Sequence, residues 1–138
     1  LKKKPVVSIY GNDYKTKDGT CVRDYIHVSD LADIHIETLK YLKKNSKSLI
    51  LNCGYGKPYS VLDIVNLFKK KNKRTLVHYK AKRPGDIAEV YSDTKKFNKI
   101  LKLKLKYNDL KYILNTAYKW EKKNHSVWML NRVNFVSL

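Results

Sequence analysis

The most constraining feature of the chain is the stretch at residues 11–36, GNDYKTKDGTCVRDYIHVSDLADIHI. Its first half, from Gly11 to Gly19, is polar and rich in turn-forming residues, and a helix is predicted to begin near Asp30. Arg23 lies between the loop and the helix. The chain has only four arginines against 26 lysines, so this arginine is expected to do what lysine cannot. That role is a planar, two-bonded contact with a phosphate or a carboxylate.

The length and composition indicate one small ordered domain. The chain has 138 residues, of which 43% are hydrophobic, and this is enough for a modest core. The sequence has no run of eighteen apolar residues, so neither a membrane-spanning helix nor a membrane partner is expected. The first residues are basic but lack an apolar segment of signal-peptide length. Because the chain starts with Leu1 and not with methionine, we expect it to be a truncation of a longer protein or a processed product.

The cysteines indicate the redox environment of the protein, and the net charge limits the kinds of partner that it is expected to have. Cys21 and Cys53 are the only cysteines and lack zinc-type spacing, which is typical of free thiols in a reducing, cytoplasmic protein without a metal site. The net charge of +18 is of the kind that favours nucleic-acid binding. The lysines are spread over the whole chain, however, and no nucleic-acid-binding motif is present. A nucleic-acid partner is therefore not expected, although a basic nucleic-acid-binding module stays open as an alternative.

Short apolar segments alternate with amphipathic ones, which predicts an α/β fold with short strands and three to four helices. The tail at 124–138 has no clear pattern, so the predicted domain covers residues 1–123. Ser29 or Asp30, then Ser60, and finally Asn108 are the predicted N-caps of the three longer helices. Strands are predicted at 5–10, 48–53, 75–80 and 102–107, and helices at 30–44, 61–71, from 93 or 94 to about 101, and 109–123.

Four blocks of the sequence resemble one enzyme family, the UDP-glucose 4-epimerases of the extended short-chain dehydrogenase/reductase superfamily. The first block is the most specific, because the turn GNDY, the DGT element and VRDYIHV-x-DLA occur in it together. The other blocks are shared more widely among nucleotide-sugar epimerases and dehydratases. The blocks are IYGNDYKTKDGTCVRDYIHVSDLADIH at 9–35, LNCGYGKPYSVLDIV at 51–65, KRPGDIAEVYSDTKK at 82–96 and LKLKYNDLKYILNTAYKWE at 103–121.

The resemblance covers only the C-terminal, substrate-binding part of that family. Its members bind NAD in an N-terminal Rossmann domain, which also carries the catalytic tyrosine and lysine, and the resemblance implies a homodimer for the full-length protein. This sequence has no G-x-x-G-x-x-G after an opening strand, so the NAD-binding half is expected to lie outside it. Tyr-x-x-x-Lys occurs at Tyr91/Lys95, Tyr107/Lys111 and Tyr118/Lys122, but without the strand-and-helix frame of a catalytic pair. No catalytic residue is therefore assigned.

Two arginines are the main candidates for substrate binding. A diphosphate calls for fork-shaped cations on two sides, and Arg23 and Arg83 lie in separate loops. Each precedes an acid that is expected to orient it, Asp24 for Arg23 and Asp86 for Arg83. The resemblance implies that both arginines contact the diphosphate of UDP and that Asp86 binds the ribose hydroxyls. A carboxylate is a suitable acceptor for two neighbouring hydroxyl groups.

The resemblance implies three further contacts, and the position of Tyr25 shortly after Arg23 indicates a fourth. Tyr10 would pack near the uracil ring, the backbone of Ser8 would face the base, and Tyr25 would reach toward the phosphates. Val90 would lie near the sugar, where a small side chain leaves room for an N-acetyl group. The complete enzyme would then interconvert UDP-glucose and UDP-galactose in galactose metabolism and would also accept UDP-N-acetylhexosamines. Another epimerase or dehydratase of the superfamily, and a non-catalytic sugar-nucleotide-binding remnant, are the alternatives to a 4-epimerase.

Overall fold

The computed structural model describes residues 6–125, and the side chains of residues 6–123. Strands and helices alternate through this range. The predicted tail at 124–138 lies outside the described residues, apart from the backbone at the end of the last helix. The elements are β1 (Val6–Tyr10), β2 (Val22–Asp24), α1 (Val28–Asn45), β3 (Pro58–Ser60), α2 (Val61–Lys71), β4 (Leu76–Lys80), β5 (Glu89–Val90), α3 (Lys95–Leu101) and α4 (Leu110–His125).

The strands form two small sheets. In the first, β1 pairs with β4 in parallel, with Val6 opposite Leu76 and Tyr10 opposite Lys80. In the second, β2 lies in the centre, antiparallel to β3 and parallel to β5. A parallel pair requires a crossover, and the chain between β1 and β4 contains two helices that supply it. The α/β fold with short strands and four helices is therefore confirmed.

The core lies where the helices pack on these sheets. Its largest fully buried apolar side chains are Ile9 of β1, Ile34 of α1 and Phe97 of α3. They come from three different elements, and α1 packs against α3 while α2 packs against β1. Ile64 and Val65 extend the core along α2. None of the helices within residues 6–125 is long and apolar enough to span a bilayer.

The first helix begins earlier than predicted, and its cap is neither Ser29 nor Asp30. The N-cap is His27, whose Nδ1 accepts a hydrogen bond of 3.1 Å from the backbone N–H of Ser29. Asp30 is fully buried, and its carboxylate accepts hydrogen bonds from the backbone N–H groups of Lys106 and Tyr107. A carboxylate directed at another segment cannot cap its own helix, so the neighbouring imidazole takes that role.

The other helix starts follow ordinary capping chemistry. The prediction for α2 is confirmed: the Ser60 hydroxyl accepts from the backbone N–H of Asp63, and the Asp63 carboxylate accepts from that of Ser60. The prediction of Asn108 for the last helix is wrong by one residue. Asp109 accepts from the backbone N–H of Tyr112, because its carboxylate lies three residues before that donor.

Two predicted strands, 48–53 and 102–107, are not strands in the described part of the chain. Both keep the alternating burial of a strand, but neither has a strand beside it. At the end of the second segment the backbone N–H groups of Lys106 and Tyr107 bind Asp30. Two short strands that sequence patterning missed, β2 and β3, pair with each other, and β2 carries Arg23.

Candidate functional site

A cavity of about 120 Å³ opens between β1, β2, α2 and the loop that follows β4. The helix contributes an apolar wall, and the strands and the loop contribute the polar side. Six of the seven predicted site residues line this one cavity, although they come from segments that are far apart in the sequence. The lining residues are Val7, Ser8, Tyr10, Cys21, Arg23, Tyr25, Val61, Ile64, Val65, Phe68, Arg83 and Asp86.

Arg83 is held by its neighbour in the loop. Its Nε donates to Asp86 Oδ2 at 3.0 Å and its Nη2 donates to Oδ1 at 3.4 Å, so the predicted orienting acid is found. The backbone of Gly85 has φ +84°, a left-handed conformation that glycine adopts without strain. The turn Arg83-Pro84-Gly85-Asp86 is closed by a backbone bond of 3.3 Å from Asp86 to Arg83. Proline and glycine are the residues that such a turn favours at its two central positions.

Arg23 has a different environment. Its Nη1 donates to the carbonyl of Val22 at 2.7 Å. Among residues 6–125, no carboxylate lies within ion-pair distance of its guanidinium. The prediction that Asp24 orients Arg23 is wrong, because neighbouring residues on a strand point to opposite faces of the sheet. Arg23 therefore faces the cavity as a cation without an acidic partner in the described structure.

Asp24 instead binds the backbone on the far side of the sheet. Its carboxylate accepts from the backbone N–H groups of Tyr55, Gly56 and Ser92, at 3.2, 2.8 and 3.4 Å. Gly54 lies so close that a Cβ there would collide with the Asp24 carboxylate and with the Ser92 hydroxyl. The glycine-rich loop at 54–56 is thus shaped to fit around one carboxylate, and it anchors the strand that carries Arg23.

Tyr10 and Tyr25 are the aromatic residues on the polar side of the cavity. The Arg83 guanidinium lies 4.9 Å from the centre of the Tyr10 ring, and the Lys80 ammonium lies 5.5 Å from it, both within cation–π distance. Burial raises the pKa of the Tyr25 hydroxyl, and the positive charge of Arg23 only partly opposes this effect. Tyr25 is therefore a neutral hydrogen-bond donor at neutral pH.

The remaining predicted residues divide between the inside and the edge of the site. Ser8 of β1 lines the cavity. Val90 does not line it: it lies on β5 opposite Arg23, and 48% of its surface is exposed. It is thus one strand away from the cavity wall.

Sequence reasoning assigned no site role to the apolar wall of α2 or to Cys21. Ile64, Val65 and Phe68 face the cavity from α2, and Cys21 faces it with 6% of its surface exposed. The amphipathic pattern of α2 predicted a buried face but could not show that part of it borders a cavity. Among residues 6–125, no cluster of three or more His, Cys, Asp or Glu side chains could hold a metal ion.

No protein-family profile matches the chain. Individual proteins do match it. The UDP-arabinose 4-epimerase 1 of Arabidopsis thaliana is 46% identical over 119 residues, which are 86% of this chain and 28% of that protein. The chain therefore spans about a third of the length of the curated relatives that it matches.

Solved structures give the same result. A UDP-glucose 4-epimerase from Stenotrophomonas maltophila, solved with NAD and formylated UDP-arabinopyranose, superposes with a TM-score of 0.81 at 34% identity, covering 88% of this chain and 36% of that one. The UDP-Glc/GlcNAc 4-epimerase of Campylobacter jejuni superposes with a TM-score of 0.75 at 39% identity, covering 88% and 37%. The chain therefore has the fold of one part of an extended short-chain dehydrogenase/reductase enzyme, and it is similar to the UDP-sugar 4-epimerases of that superfamily over most of its own length.

Proposed function

We propose that the cavity binds the nucleotide part of a UDP-sugar, and that the complete protein is an NAD-dependent UDP-sugar 4-epimerase. The observation that carries this proposal is that Arg23 and Arg83, 60 positions apart in the sequence, line a single cavity. Two guanidinium groups beside one small cavity suit a ligand with two adjacent phosphates, because each fork can donate two bonds to phosphate oxygens.

The two arginines contribute differently to such a ligand. Arg23 has no acidic partner in the described structure, so a diphosphate would supply the missing negative charge. Arg83 is bound by Asp86, which fixes the plane of the guanidinium beside the cavity. The Tyr25 hydroxyl would add a neutral donor. We assign Asp86 to the ribose hydroxyls, with its oxygens shared between the sugar and Arg83.

The size of the cavity fits one portion of the ligand. Its volume of about 120 Å³ is below the roughly 300–1,000 Å³ of pockets that enclose a whole ligand. We assign the cavity to the uracil end, with Tyr10 and Ser8 on one side and the apolar wall of α2 on the other. The rest of the UDP-sugar would extend beyond it. Tight binding of the nucleotide would leave the hexose free to turn between its two faces during epimerisation.

The residues described here do not form an NAD site. The five glycines of the sequence, at positions 11, 19, 54, 56 and 85, form no G-x-x-G-x-x-G between a strand and a helix. In the relatives that hold it, NAD supplies the hydride chemistry. We propose that this protein binds NAD through another part of its sequence, and that the present chain contributes substrate binding and no proton or hydride transfer.

We also propose that the complete enzyme acts on UDP-glucose and UDP-galactose and accepts UDP-N-acetylhexosamines. Support for the wider range is Val90, a small, exposed side chain that lies next to Arg23 across the β2–β5 pair. A larger residue there would extend over the side of the sheet that bears the arginine and would exclude an N-acetyl group by volume.

Isothermal titration of the chain with UDP tests the proposed site. Arg23→Lys and Arg83→Lys keep the charge but remove the fork, so each should raise the Kd about 10- to 100-fold, or about 1.5–3 kcal/mol. The matched control is Arg74→Lys, at an exposed arginine outside the cavity, which should leave the Kd unchanged. Equal effects of all three substitutions, or equal affinity for inorganic sulfate and UDP, would contradict the assignment and would favour the basic-module alternative.

A further inference from the structure

The N-terminus of α2 is bound to the residues that lead into β2. An α-helix leaves its first four backbone N–H groups without partners inside the helix. In α2 the first of them, from Val61, donates to the carbonyl of Cys21 at 2.9 Å. The second, from Leu62, donates to the hydroxyl of Thr20 at 3.2 Å. Both acceptors belong to residues directly before β2, so the helix and the strand are joined at this point.

One carboxylate orients the hydroxyls that hold this end of the helix. Asp18 Oδ1 accepts from the hydroxyl and from the backbone N–H of Thr20, at 2.7 and 2.9 Å, and Oδ2 accepts from the hydroxyl of Ser60 at 2.5 Å. The Ser60 hydroxyl itself accepts from the backbone N–H of Asp63, as the Thr20 hydroxyl does from that of Leu62. A hydroxyl has one hydrogen to donate and two lone pairs that accept. Because Asp18 takes both hydrogens, both hydroxyls present lone pairs to the helix.

The bonds that Asp18 makes have no ready substitute. Thr20 is 1% exposed and Ser60 is 7% exposed, so water has little access to either hydroxyl. Burial by itself would raise the pKa of Asp18, but the hydrogen bonds from Ser60 and Thr20 outweigh it and lower the pKa, so the side chain is ionised at neutral pH. An ionised carboxylate only accepts hydrogen bonds, whereas the amide of an asparagine would direct a donor at one of the two hydroxyls. Asparagine at this position should therefore disturb at least one of the bonds to α2.

These bonds lie where two walls of the cavity meet. Cys21 and Val61, which share a backbone hydrogen bond, both line the cavity. From there β2 continues with Arg23 along one wall, and α2 continues with Ile64 along the other. Asp18 itself is not among the lining residues. It can therefore influence a bound ligand through the placement of the two walls or through the long-range effect of its charge.

We propose that Asp18 is a positioning residue for nucleotide binding, which acts through the hydroxyls of Thr20 and Ser60 to hold α2 at the separation from β2 that the uracil end of a UDP-sugar requires. The identity of the ligand rests on the proposed function, whereas the hold on α2 does not. The charge of Asp18 has the same sign as that of a diphosphate, so its removal would strengthen UDP binding if charge alone acted. Loss of positioning would weaken binding. The two effects have opposite signs, which makes them distinguishable.

Titration of the 138-residue chain and its variants with UDP tests the proposal. Asp18→Asn and Thr20→Val should each raise the Kd about 10-fold, whereas Thr20→Ser keeps the hydroxyl and should change the Kd by less than about 2-fold. The matched control is Asp30→Asn, which removes a buried carboxylate away from the cavity and should also change the Kd by less than about 2-fold.

Three results would overturn the proposal: equal increases in Kd for Asp18→Asn and Asp30→Asn, tighter UDP binding by Asp18→Asn, or equal Kd values for Thr20→Ser and Thr20→Val. The first would show that only general stability is affected, and the second that charge acts alone. The Thr20 pair changes no charge and decides the question if Asp18→Asn does not fold.

Labelling of the cavity thiol gives a second measurement, which needs no ligand. In a Cys53→Ser background Cys21 is the single cysteine, and it lines the cavity with 6% of its surface exposed. Asp18→Asn should increase its rate of alkylation by iodoacetamide at least about 10-fold, because α2 is no longer held against the wall that bears the thiol, whereas Asp30→Asn should not. Equal rates in the two variants would overturn the proposal. Faster labelling in Asp18→Asn, together with an original chain that does not bind UDP, would remove the proposed function and leave the hold of Asp18 on α2.

Discussion

The Tyr55 hydroxyl donates a hydrogen bond of 2.5 Å to the buried carboxylate of Asp30. The same carboxylate accepts from the backbone N–H groups of Lys106 and Tyr107, at 3.0 and 2.9 Å. One side chain on α1 therefore holds two loops that are distant in sequence. Burial raises the pKa of Tyr55, and the bond to Asp30 raises it further, so the phenol remains a donor across the range in which the protein is folded.

Removing that carboxylate should destabilise the chain strongly. Asp30→Ala leaves three part-buried donors without their acceptor and removes a fully buried carboxylate, and we expect a loss of about 3–5 kcal/mol in the free energy of unfolding. Asp33→Ala is the matched control on the same helix, since Asp33 makes only an exposed ion pair with Lys106 at 3.2 Å and should cost less than about 1 kcal/mol. Urea denaturation followed by circular dichroism measures both. Similar losses for the two variants would contradict the role given to Asp30.

The pH dependence of stability should have the sign set by the same group. Burial by itself would raise the pKa of Asp30, but the bonds from Tyr55 and from the two backbone N–H groups outweigh it and lower the pKa. The pKa of Asp18 is also lowered, because hydrogen bonds from Ser60 and Thr20 outweigh its burial. A lowered folded-state pKa gives stability that is complete above the unfolded value of about 3.9 and is lost as the pH falls through the folded value.

The Tm should therefore be flat from about pH 7 to pH 5 and should fall steeply below about pH 4. Asp30→Asn removes one of the titrating groups, so its Tm should start lower and fall less steeply in acid. Thermal unfolding at a series of pH values makes the comparison. Parallel curves for the two proteins would show that Asp30 contributes nothing to the acid sensitivity.

Gly54→Ala should destabilise the loop that anchors β2. The added Cβ meets the Asp24 carboxylate and the Ser92 hydroxyl, so the backbone contacts of Asp24 must shift. We expect a loss of about 2–3 kcal/mol, within the usual range for overpacking. Gly85→Ala is the contrasting case, because the site has open space but a φ of +84°, and backbone strain alone should cost about 1–2 kcal/mol. Denaturant unfolding compares the loss of unfolding free energy in the two variants. A larger loss for Gly85→Ala than for Gly54→Ala would show that the Asp24 contacts can shift without destabilising the chain.

Enlarging Val90 should narrow the range of sugars. In the complete enzyme, Val90→Trp should abolish turnover of UDP-N-acetylglucosamine while retaining most of the turnover of UDP-glucose, because the extra volume excludes only the larger sugar. Coupled epimerase assays with both substrates measure the ratio of their kcat/KM values. Leu76→Trp on β4, at an exposed position opposite Val6 and outside the cavity lining, serves as the control for a bulky residue on a strand. Equal losses on both sugars would remove Val90 as a selectivity residue.

Local pattern was enough to predict most elements, whereas the six cavity residues were predicted mainly from the resemblance. Interactions within a few positions determine the cap and the apolar face of α2, and the apolar patterns of β1 and β4 are also local. Such local patterns can be read from the sequence. The prediction that Arg23 and Arg83 bind the same diphosphate came from the resemblance, because no periodic pattern relates two residues so far apart in the sequence. The structure places them in one cavity.

The failures have a physical cause in common. Residues 48–53 and 102–107 have the alternation of strands, but a strand needs a neighbour to bond with, and the sequence does not reveal where that neighbour is. The pairing of Arg23 with Asp24 was inferred because the two residues are neighbours in the sequence. On a strand, however, neighbouring side chains point to opposite faces of the sheet. His27 was missed as a cap because the preferred capping residues lie next to it.

The parallel pairing of β1 with β4 joins segments about 70 positions apart, since Val6 lies opposite Leu76. Closing a loop of that length costs about 4 kcal/mol in chain entropy. One wall of the cavity forms only when β1 and β4 have paired. A ligand that contacts both Arg23 and Arg83 would then stabilise the closed loop, because it binds to both of the segments that the closure brings together. Bound ligand should therefore slow the unfolding of the entire molecule, and the slowing should increase with the fraction of cavities that are occupied. The ligand would do more than hold in place the few side chains that it contacts.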